Sequence, residues 1–341
     1  MDAHIPDRVA SSFSESEKAG HIHLYASTAS ERVEDEGITH WGHVVPQLAN
    51  KPAVPPKTPD LSQRRDKDPL EGPDYARGEK VLDLEESGVT YSIVHNLHAL
   101  MPEHAMLIPH FETGGQSFRP QTSDLLESDL WAAWRIVKAY ADSGREAVIF
   151  FNGGPLAGAS QPHLHVQFCP FQHSSPPGPE QIARSLPPTP PSSRSSTFAP
   201  SLAPRLPLPW VQFYQPLPSS LTLTSTALYT LYQSLLHTRS TFLSTTHSPR
   251  LPPAGQKRES YNLFLTSRHI HLVPRTDRLV RVPRTGKGRE GEFTISLNGL
   301  LYLGLWYAGS REDWEDVKRL GLSNILTDAA YANEEWDGGG K

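Results

Sequence analysis

A glycine-rich loop that runs directly into an alternating segment limits what this chain can fold into. Gly153, Gly154 and Gly158 follow a short apolar run and precede the segment His163-Leu164-His165-Val166-Gln167-Phe168. Polar and apolar side chains alternate in this segment, which predicts a β-strand with two imidazoles and one amide on the same face. The glycines let backbone N–H groups form an anion-binding concavity just before that strand.

Three interpretations fit this pattern, two of them chemical and one structural. A neutral imidazole can attack phosphorus and form a covalent intermediate, and the loop can hold the phosphate that is attacked. Two histidines at positions i and i+2 can also face a zinc ion, although glutamine is a poor zinc ligand and Cys169 is the only cysteine. The third alternative is structural, with glycines that close a hairpin and histidines that bond to neighbouring carbonyls.

The run Gly158-Ala159-Ser160-Gln161-Pro162-His163-x-His165-x-Gln167 resembles the active-site motif of one enzyme family. The family is the diadenosine tetraphosphate phosphorylases, also called ATP adenylyltransferases, of the histidine-triad superfamily. The resemblance implies that His165, in the middle position, is the nucleophile and that His163 supports it. Glutamine at the third position, here Gln167, is typical of the transferase branch, whereas the hydrolase branch has histidine there.

The resemblance also implies a two-step reaction. His165 attacks the α-phosphorus of diadenosine tetraphosphate, ATP leaves, and inorganic phosphate then removes AMP from the histidine as ADP. We expect a backbone carbonyl to hold Nδ1–H of His165, which directs Nε2 at phosphorus. Because Gln167 cannot titrate near neutrality, it can only donate or accept hydrogen bonds.

Nucleotide contacts are expected on both sides of this motif. The family has a Lys-Pro element that Lys51-Pro52 matches, an asparagine after a strand that Asn96 matches, and a Ser-x-Asn element that Ser296-Leu297-Asn298 matches. The nucleotide-binding positions implied by the resemblance are Lys51, Asn96, Leu97, Asn152, Gly158, Ala159, Ser160, Gln161, Gln167, Asn298, Gly299, Leu300, Leu305 and Gly309.

Two of these positions depart from the family pattern. Leu97 and Gly309 stand where the family has lysine, so two expected phosphate or nucleotide contacts are missing. This departure favours a second hypothesis, a nucleotide-binding protein that kept the fold without the catalysis. A third hypothesis is a related nucleotidyltransferase that uses a sugar phosphate or sulfate as the acceptor.

The composition of the chain limits the classes of protein to which it can belong. The chain has 341 residues, 37% hydrophobic content and a formal charge of −5. No broad basic field predicts nucleic-acid binding, and no apolar run approaches membrane-spanning length. The first residues lack the apolar core of a signal peptide. We expect a monomer in the cytoplasm, or also the nucleus, that binds nucleotides and has no tightly bound cofactor or metal ligand, apart from Mg²⁺ carried by the polyphosphate.

The resemblance implies an α+β fold of the histidine-triad type, in which a mainly antiparallel sheet is flanked by helices and a C-terminal domain completes the nucleotide site. Hydrophobic spacing predicts helices at 123–142, 222–243, 312–320 and 323–331, the first with a capping box from Asp124 to Glu127. Strands are expected at 147–151, 260–266, 270–274, 293–297 and 300–307. Trp134 fits an apolar helix stripe and is predicted to lie in the core.

Four segments follow from composition and motif positions. Residues 1–50 read as a polar segment with a short helix and strand, and 51–172 as the catalytic region. Residues 173–215 hold many of the chain's 32 prolines, so we expect a disordered insertion outside the fold. Its Pro-Pro-x-Pro-Pro run matches what a proline-recognition domain binds, but we favour chance composition as its explanation. Residues 216–341 would form the C-terminal domain.

Two further groups of histidines remain. His95, His98, His104 and His110 crowd one predicted hairpin, where a structural metal and ordinary loop histidines are the alternatives. His269 and His271 form a second His-x-His run. Since this run lacks the glycine-rich lead and has Val273 in place of glutamine, we interpret it as structural histidines of a strand.

Overall fold

The computed structural model describes residues 2–49, 70, 79–110, 119–173, 175–187, 202–246, 260–286 and 288–335. Within these ranges the helices and strands form the expected α+β fold around a large antiparallel sheet. A search of the same residues finds no helix with the length and apolar character needed to span a membrane.

Fifteen strands are present in the described residues. They are β1 (His23–Leu24), β2 (Ala29–Asp35), β3 (Ile38–Val44), β4 (Lys80–Glu86), β5 (Val89–His95), β6 (His98–Ala99), β7 (Ala105–His110), β8 (Ala147–Gly153), β9 (Val166–Pro170), β10 (Phe213–Pro216), β11 (Tyr261–Leu265), β12 (His269–Pro274), β13 (Leu279–Pro283), β14 (Glu292–Ser296) and β15 (Leu305–Ala308). The α-helices are α1 (Ile5–Lys18), α2 (Glu127–Asp142), α3 (Gly178–Ser185), α4 (Ser225–Thr245), α5 (Gly299–Tyr302), α6 (Arg311–Leu320) and α7 (Leu322–Asp328).

One eight-stranded sheet runs through both halves of the chain. Its order is β10-β12-β11-β8-β9-β7-β5-β4, and every neighbouring pair is antiparallel. Strand β11 pairs with β8, so the strands that follow the proline-rich stretch extend the sheet that precedes it. The C-terminal region therefore joins the catalytic region through main-chain hydrogen bonds rather than standing as a separate layer.

Each face of this sheet packs against different elements. On one face Ile149 and Phe168 share a core with Trp134 of α2 and Tyr232 of α4. The opposite face carries Phe150 and Phe264, which share a second core with the C-terminal helices and with β3 and β15. The alternation of side chains along β8 and β9 thus separates the face covered by α2 and α4 from the face that carries Gln167 and packs against the C-terminal helices.

Helix α2 confirms the predicted core position of Trp134, which is 1% exposed, but its predicted cap is wrong. The helix begins at Glu127, and the backbone N–H of Leu126 donates to the Asp129 carboxylate at 2.7 Å. Arg119 holds that carboxylate with two hydrogen bonds of 2.9 and 2.8 Å. Asp129, rather than Glu127, therefore closes the helix start, because the helix begins four residues later than predicted.

The strand predicted at 300–307 is also wrong in its first half. Residues 299–302 form the short helix α5, and β15 begins only at Leu305. The Asn298 side chain accepts a hydrogen bond from the N–H of Leu300 at 3.0 Å, which starts a helical turn. Gly304, with φ of 81°, then turns the chain into β15.

The described parts of the proline-rich stretch pack into the fold, so the expectation of an external, disordered insertion is wrong for them. Residues 178–185 form helix α3, and Glu180 and Ala183 are buried. After 201 the chain buries Leu206, Trp210 and Phe213 completely. The high proline content led to the prediction of disorder. The apolar residues between the prolines nevertheless bury enough surface to keep these segments packed against the rest of the fold. The Pro-Pro-x-Pro-Pro run at 187–191 lies mostly outside the described residues.

The first fifty residues contain more regular structure than their polarity suggests. Helix α1 has fourteen residues and buries Ile5, Val9 and Phe13. Strands β2 and β3 form a hairpin, and β15 pairs in parallel with β3. The sequence signal for the full length of α1 was the helical spacing of its apolar residues.

Candidate active site

The glycine-rich loop connects β8 to β9 through a short 3₁₀ turn at Pro155–Ala157. Gly154 and Gly158 flank this turn with φ of 90° and 86°, which side chains with a Cβ resist. A Cβ on Gly154 would stand 2.6 Å from Oγ of Ser260, and one on Gly158 would overlap the carbonyl oxygen of Leu297. Both glycines are therefore required by backbone conformation and by close contact with the C-terminal half of the chain.

His165 lies immediately before β9 and is 2% exposed. Its Nδ1 is 2.9 Å from the carbonyl oxygen of His163. A carbonyl can only accept, so Nδ1 carries the proton and Nε2 is the basic nitrogen of the neutral ring. This is the orientation expected from the sequence, with the support supplied by the backbone of the neighbouring motif histidine.

The segment around His165 begins as an irregular pairing rather than as the strand predicted from residue 163. His163 is completely buried and forms an isolated bridge with Pro120, while β9 starts at Val166. The N–H of Leu164 donates to the carbonyl of Arg119 at 2.7 Å. A separate segment near residue 120 therefore holds the start of the motif.

Gln121 is a site residue that the sequence did not point to. Its Oε1 accepts from the N–H of His165 at 2.7 Å, and its Nε2 donates to the carbonyls of His165 and Asn152 at 3.1 Å each. The side chain is 3% exposed. One buried amide thus joins the end of β8 to the start of β9 and fixes the backbone that carries the His165 imidazole.

Gln167 is held by a histidine of the β5–β7 hairpin. Oε1 of Gln167 is 3.0 Å from Nε2 of His104, which is 2% exposed. Asn96 Nδ2 lies 3.5 Å from the same nitrogen, and its Oδ1 accepts from the N–H of His98 at 3.1 Å. Since Nδ1 of His104 is buried without a hydrogen-bond partner, the tautomer with Nε2–H costs least, and it donates to Gln167.

The amide group of Gln167 is therefore oriented by its neighbour. With Oε1 occupied by His104, the NH₂ group of Gln167 is the end that can donate to a ligand. Burial lowers the pKa of His104 to about 4, so the ring is neutral at pH 7 and the hydrogen bond to Gln167 is uncharged.

Asn152 links the catalytic loop to the C-terminal half. Its Oδ1 accepts from Nδ2 of Asn262 at 2.8 Å and from the N–H of Gly299 at 2.9 Å. Asn262 also donates to the carbonyl of Ala157 at 3.0 Å and accepts from the buried Arg275 at 2.5 Å. Sequence reasoning missed Asn262 and Arg275 as site residues, because Asn262 meets Asn152 from 110 residues further along the chain.

The other predicted positions lie in four different places. Asn298 lies against Gly158, and Leu300 is buried in α5, so the structure brings the 298–300 segment to the loop that also contains Ala159, Ser160 and Gln161. Leu97 is 36% exposed and accepts a backbone hydrogen bond from His23.

The remaining positions lie on the smaller sheet or outside the described residues. Leu305 is in β15, which pairs with β3, and Gly309 follows that strand and packs on Ala49. Lys51 lies outside the described residues.

Metal-binding geometry does not occur where the hairpin histidines suggested it. Within the described ranges, the single group of three or more His, Cys, Asp or Glu side chains that could hold an ion is Glu180, His269 and His271. His95 instead bonds to Ser12 at 2.8 Å, and His104 to Gln167.

Two family models cover nearly all of the chain. The Ap4A phosphorylase N-terminal domain matches residues 2–183, and the ATP adenylyltransferase C-terminal domain matches residues 206–332. Ap4A is diadenosine tetraphosphate. The chain belongs to the Ap4A phosphorylase family. This is a nucleotidyltransferase family, and the first model includes residues 1–50 in the same domain as the catalytic motif.

Curated relatives of this Ap4A phosphorylase family member come from Saccharomyces cerevisiae. Diadenosine 5',5'''-P1,P4-tetraphosphate phosphorylase 2 is 26% identical over 337 residues, which covers 93% of this chain and 91% of the relative. Protein APA1 is 25% identical over 257 residues, which covers 71% of this chain and 70% of the relative.

Solved structures of the same family share the fold. Yeast Ap4A phosphorylase Apa2 in complex with Ap4A superposes with a TM-score of 0.70 at 23% identity, covering 96% of this chain and 97% of Apa2. A second crystal structure of yeast Ap4A phosphorylase Apa2 gives a TM-score of 0.71, covering 98% of this chain and 96% of Apa2.

Proposed function

We propose that this chain cleaves Ap4A with inorganic phosphate to ATP and ADP through an adenylyl group on His165. Family membership supports the reaction class, and the named activity of the yeast relatives supports the substrate. The observation that carries the assignment of the nucleophile is the 2.9 Å hydrogen bond from Nδ1 of His165 to the carbonyl of His163.

The first step forms a nitrogen–phosphorus bond. The Nε2 lone pair of His165 attacks one α-phosphorus of Ap4A, the bond from that phosphorus to the bridging oxygen breaks, and ATP leaves with the bond electrons. In the second step an oxygen of inorganic phosphate attacks the same phosphorus, the nitrogen–phosphorus bond breaks, and the imidazole recovers its lone pair as ADP leaves. The bond from Nδ1–H to a fixed carbonyl stabilises the positive charge that develops on the ring.

The loop and Gln167 would bind the phosphates. The segment from Gly158 to Gln161 supplies backbone N–H groups and two polar side chains next to the nucleophile. The Gln167 NH₂ group, oriented by His104, would donate to an oxygen of the transferred phosphoryl group. Asn152 and Gly299 bond to each other, so we assign them to holding the loop against α5 rather than to direct contact with adenine.

The substrate would carry its own counterion. A divalent cation such as Mg²⁺ would bind the polyphosphate as part of the substrate. Because the loop and the segment that closes on it come from one chain, we propose a catalytically complete monomer. Its substrates are free nucleotides, which supports the cytoplasm as its compartment, with the nucleus as a second one.

Trapping of the adenylyl group tests this proposal. Full-length protein is incubated with adenosine-labelled Ap4A in phosphate-free buffer, quenched in alkaline denaturant, and assayed for label bound to protein. We expect label that is stable in base and lost in acid, as a phosphoramidate requires, and released as ADP when phosphate is added before quenching. The exposed His237 provides a matched control, since His237→Ala should label like the parent whereas His165→Ala should not.

Two alternatives give different results in the same assay. A non-catalytic nucleotide-binding protein would bind Ap4A without acquiring label. A transferase with another acceptor would acquire label but release it to sulfate or to a hexose 1-phosphate rather than to inorganic phosphate. Either result would refute the proposed function.

A further inference from the structure

Three buried side chains meet near one end of the eight-stranded sheet. This end is opposite the edge strand β4. Glu180 of α3 is 2% exposed, and His269 and His271 of β12 are 9% and 2% exposed. Their potential ligand atoms all lie within 4.8 Å of one another. The two histidines are at positions i and i+2 of one strand, so both imidazoles extend from the same face toward the helix.

One carboxylate oxygen faces both imidazoles. Oε2 of Glu180 is 2.9 Å from Nε2 of His271 and 3.2 Å from Nδ1 of His269. The other oxygen, Oε1, accepts from Nε of Arg184 at 2.7 Å and lies 3.1 Å from Nδ1 of His269. One oxygen and two ring nitrogens therefore surround a common point, while the arginine fixes the carboxylate plane.

These separations are close to those in a metal site. Zinc binds histidine nitrogen and carboxylate oxygen at about 2.0–2.2 Å, which in tetrahedral geometry places the ligand atoms about 3.3 Å apart. The two oxygen–nitrogen contacts of 2.9 and 3.2 Å would need to widen by only a few tenths of an ångström, and the two ring nitrogens lie within 4.8 Å of each other. Two nitrogens and one oxygen form a ligand set that zinc accepts, with water in the fourth position.

The surroundings resemble the outer shell of a metal site. Arg184 also donates to both carboxylate oxygens of Glu146 at 3.1 Å, which locks the guanidinium that holds Glu180. Gln212 lies 3.3 Å from Nδ1 of His271 and accepts from Trp210 at 3.0 Å through Oε1. A metal on Nε2 would place the ring proton on Nδ1, and the Gln212 amide, whose Nε2 now faces that nitrogen, would turn so that Oε1 accepts the proton.

We propose that Glu180, His269 and His271 bind a Zn²⁺ ion that fastens helix α3 to strand β12. Without the ion, the same atoms form hydrogen bonds between one carboxylate and two imidazoles. With the ion, the ligands connect the stretch that follows β9 to the C-terminal half of the sheet. This inference does not depend on the proposed enzymatic activity.

The site is separate from the catalytic histidine. His271 pairs with Phe264, Phe264 with Phe150, and Phe150 with Gln167 across adjacent strands. His271 and Gln167 are thus on one face but three strand spacings apart, about 14 Å, with two phenylalanine rings between them. The ion would stabilise the sheet that carries the active site without contacting the substrate.

Metal titration of the full-length chain tests the proposal. Protein depleted of metal by a chelator and then freed of the chelator is titrated with Zn²⁺ in a calorimeter and with Co²⁺ in the visible range. We expect about one equivalent of saturable binding, tetrahedral Co²⁺ absorption bands that Zn²⁺ abolishes, and a melting temperature that rises by several degrees with Zn²⁺.

Variants assign the binding to these residues. Glu180→Gln and His269→Ala should each weaken binding roughly 100-fold or more, whereas His269→Cys should restore it because thiolate is a zinc ligand. His237→Ala should bind like the parent. If Glu180→Gln fails to fold, the more exposed His269 still decides the question. Absence of saturable binding by the parent, or binding that persists in His269→Ala, would overturn the proposal.

Discussion

Nε2 of His104 lies 3.0 Å from Oε1 of Gln167, and this contact decides which end of the Gln167 amide can serve a ligand. We expect His104→Leu to lower kcat about fivefold with a smaller change in KM, since one oriented hydrogen bond is worth about 1 kcal/mol. His104→Gln places an amide nitrogen near the original Nε2 and should restore most of the rate. Steady-state phosphorolysis by the two variants checks this role. Equal loss in both would show that His104 acts through packing alone.

Gln121 should contribute more to stability than most buried side chains. Gln121→Leu would leave the N–H of His165 and the carbonyls of His165 and Asn152 without their partner. Unpaired buried polar groups cost about 1–3 kcal/mol each before relaxation, so we expect the free energy of unfolding to fall by roughly 3 kcal/mol. Urea denaturation measures this change. A loss below about 1 kcal/mol would mean that water replaces the amide.

Stability should fall as the pH is lowered below 6.5. Burial lowers the pKa of His40 to about 4, and the indole N–H of Trp306 donates to its Nδ1 at 3.1 Å. In the unfolded chain the pKa of a histidine is near 6.5. Between pH 6.5 and pH 4 the unfolded chain therefore binds a proton at His40, whereas the folded chain does not. The stabilisation by neutral His40 is complete above pH 6.5 and is lost as the pH falls toward 4, by up to about 3 kcal/mol.

A variant isolates this contribution from those of other buried histidines. His40→Asn can still accept from Trp306 but does not titrate, so its free energy of unfolding should depend less steeply on pH between 6.5 and 4 than that of the parent. Exposed His237→Asn is the control and should keep the parent slope. Denaturant unfolding at several pH values measures the slopes, and identical slopes for His40→Asn and the parent would contradict the assignment.

The two positions that lack the family lysine should respond differently to its introduction. Leu97 is 36% exposed and uses only its backbone in a hydrogen bond, so Leu97→Lys should change the free energy of unfolding by less than about 0.5 kcal/mol. A Cβ on Gly309 would stand 2.7 Å from the Ala49 backbone, and Gly309→Lys should cost about 1–3 kcal/mol. Thermal and urea denaturation of both variants compare these effects. Equal tolerance would show that Ala49 moves freely.

Gln167 should bias the adenylyl intermediate toward phosphate and away from water. An amide supplies no general base, whose help to a water nucleophile is typically worth about 10²–10⁴-fold, while phosphate is already anionic. We expect Gln167→His to release more AMP without phosphate, relative to ADP with phosphate. The partition of preformed adenylyl-enzyme at several phosphate concentrations measures this bias, and an unchanged partition would exclude proton supply as its cause.

Local patterns predicted the parts of the site that depend on neighbouring residues. Alternation after a glycine-rich loop singled out His163, His165 and Gln167 as candidates, and the bond from Nδ1 of His165 to a backbone carbonyl that we expected is present. The apolar stripe of helix α2 around Trp134 could also be predicted, because helical spacing relates residues that are close in the sequence.

The missing parts depend on contacts between distant residues. Gln121 lies 44 residues from His165, and no spacing rule connects an isolated glutamine to a strand formed later. Glu180 meets His271 from 91 residues away, inside a stretch whose proline content indicated disorder. The His-x-His run of β12 was found but was interpreted without its partner, since the pairing of α3 with β12 is a tertiary property.

Nε2 of His165 is proposed to carry the adenylyl group, and mapping the modified residue tests this assignment most directly. Protein labelled with Ap4A in phosphate-free buffer is digested at alkaline pH, and the adenylylated peptide is fragmented in a mass spectrometer by a method that preserves phosphoramidates. We predict AMP on His165 in the parent and in His237→Ala, and none in His165→Ala. AMP on His163, or an adduct of equal yield in His165→Ala, would contradict the assignment.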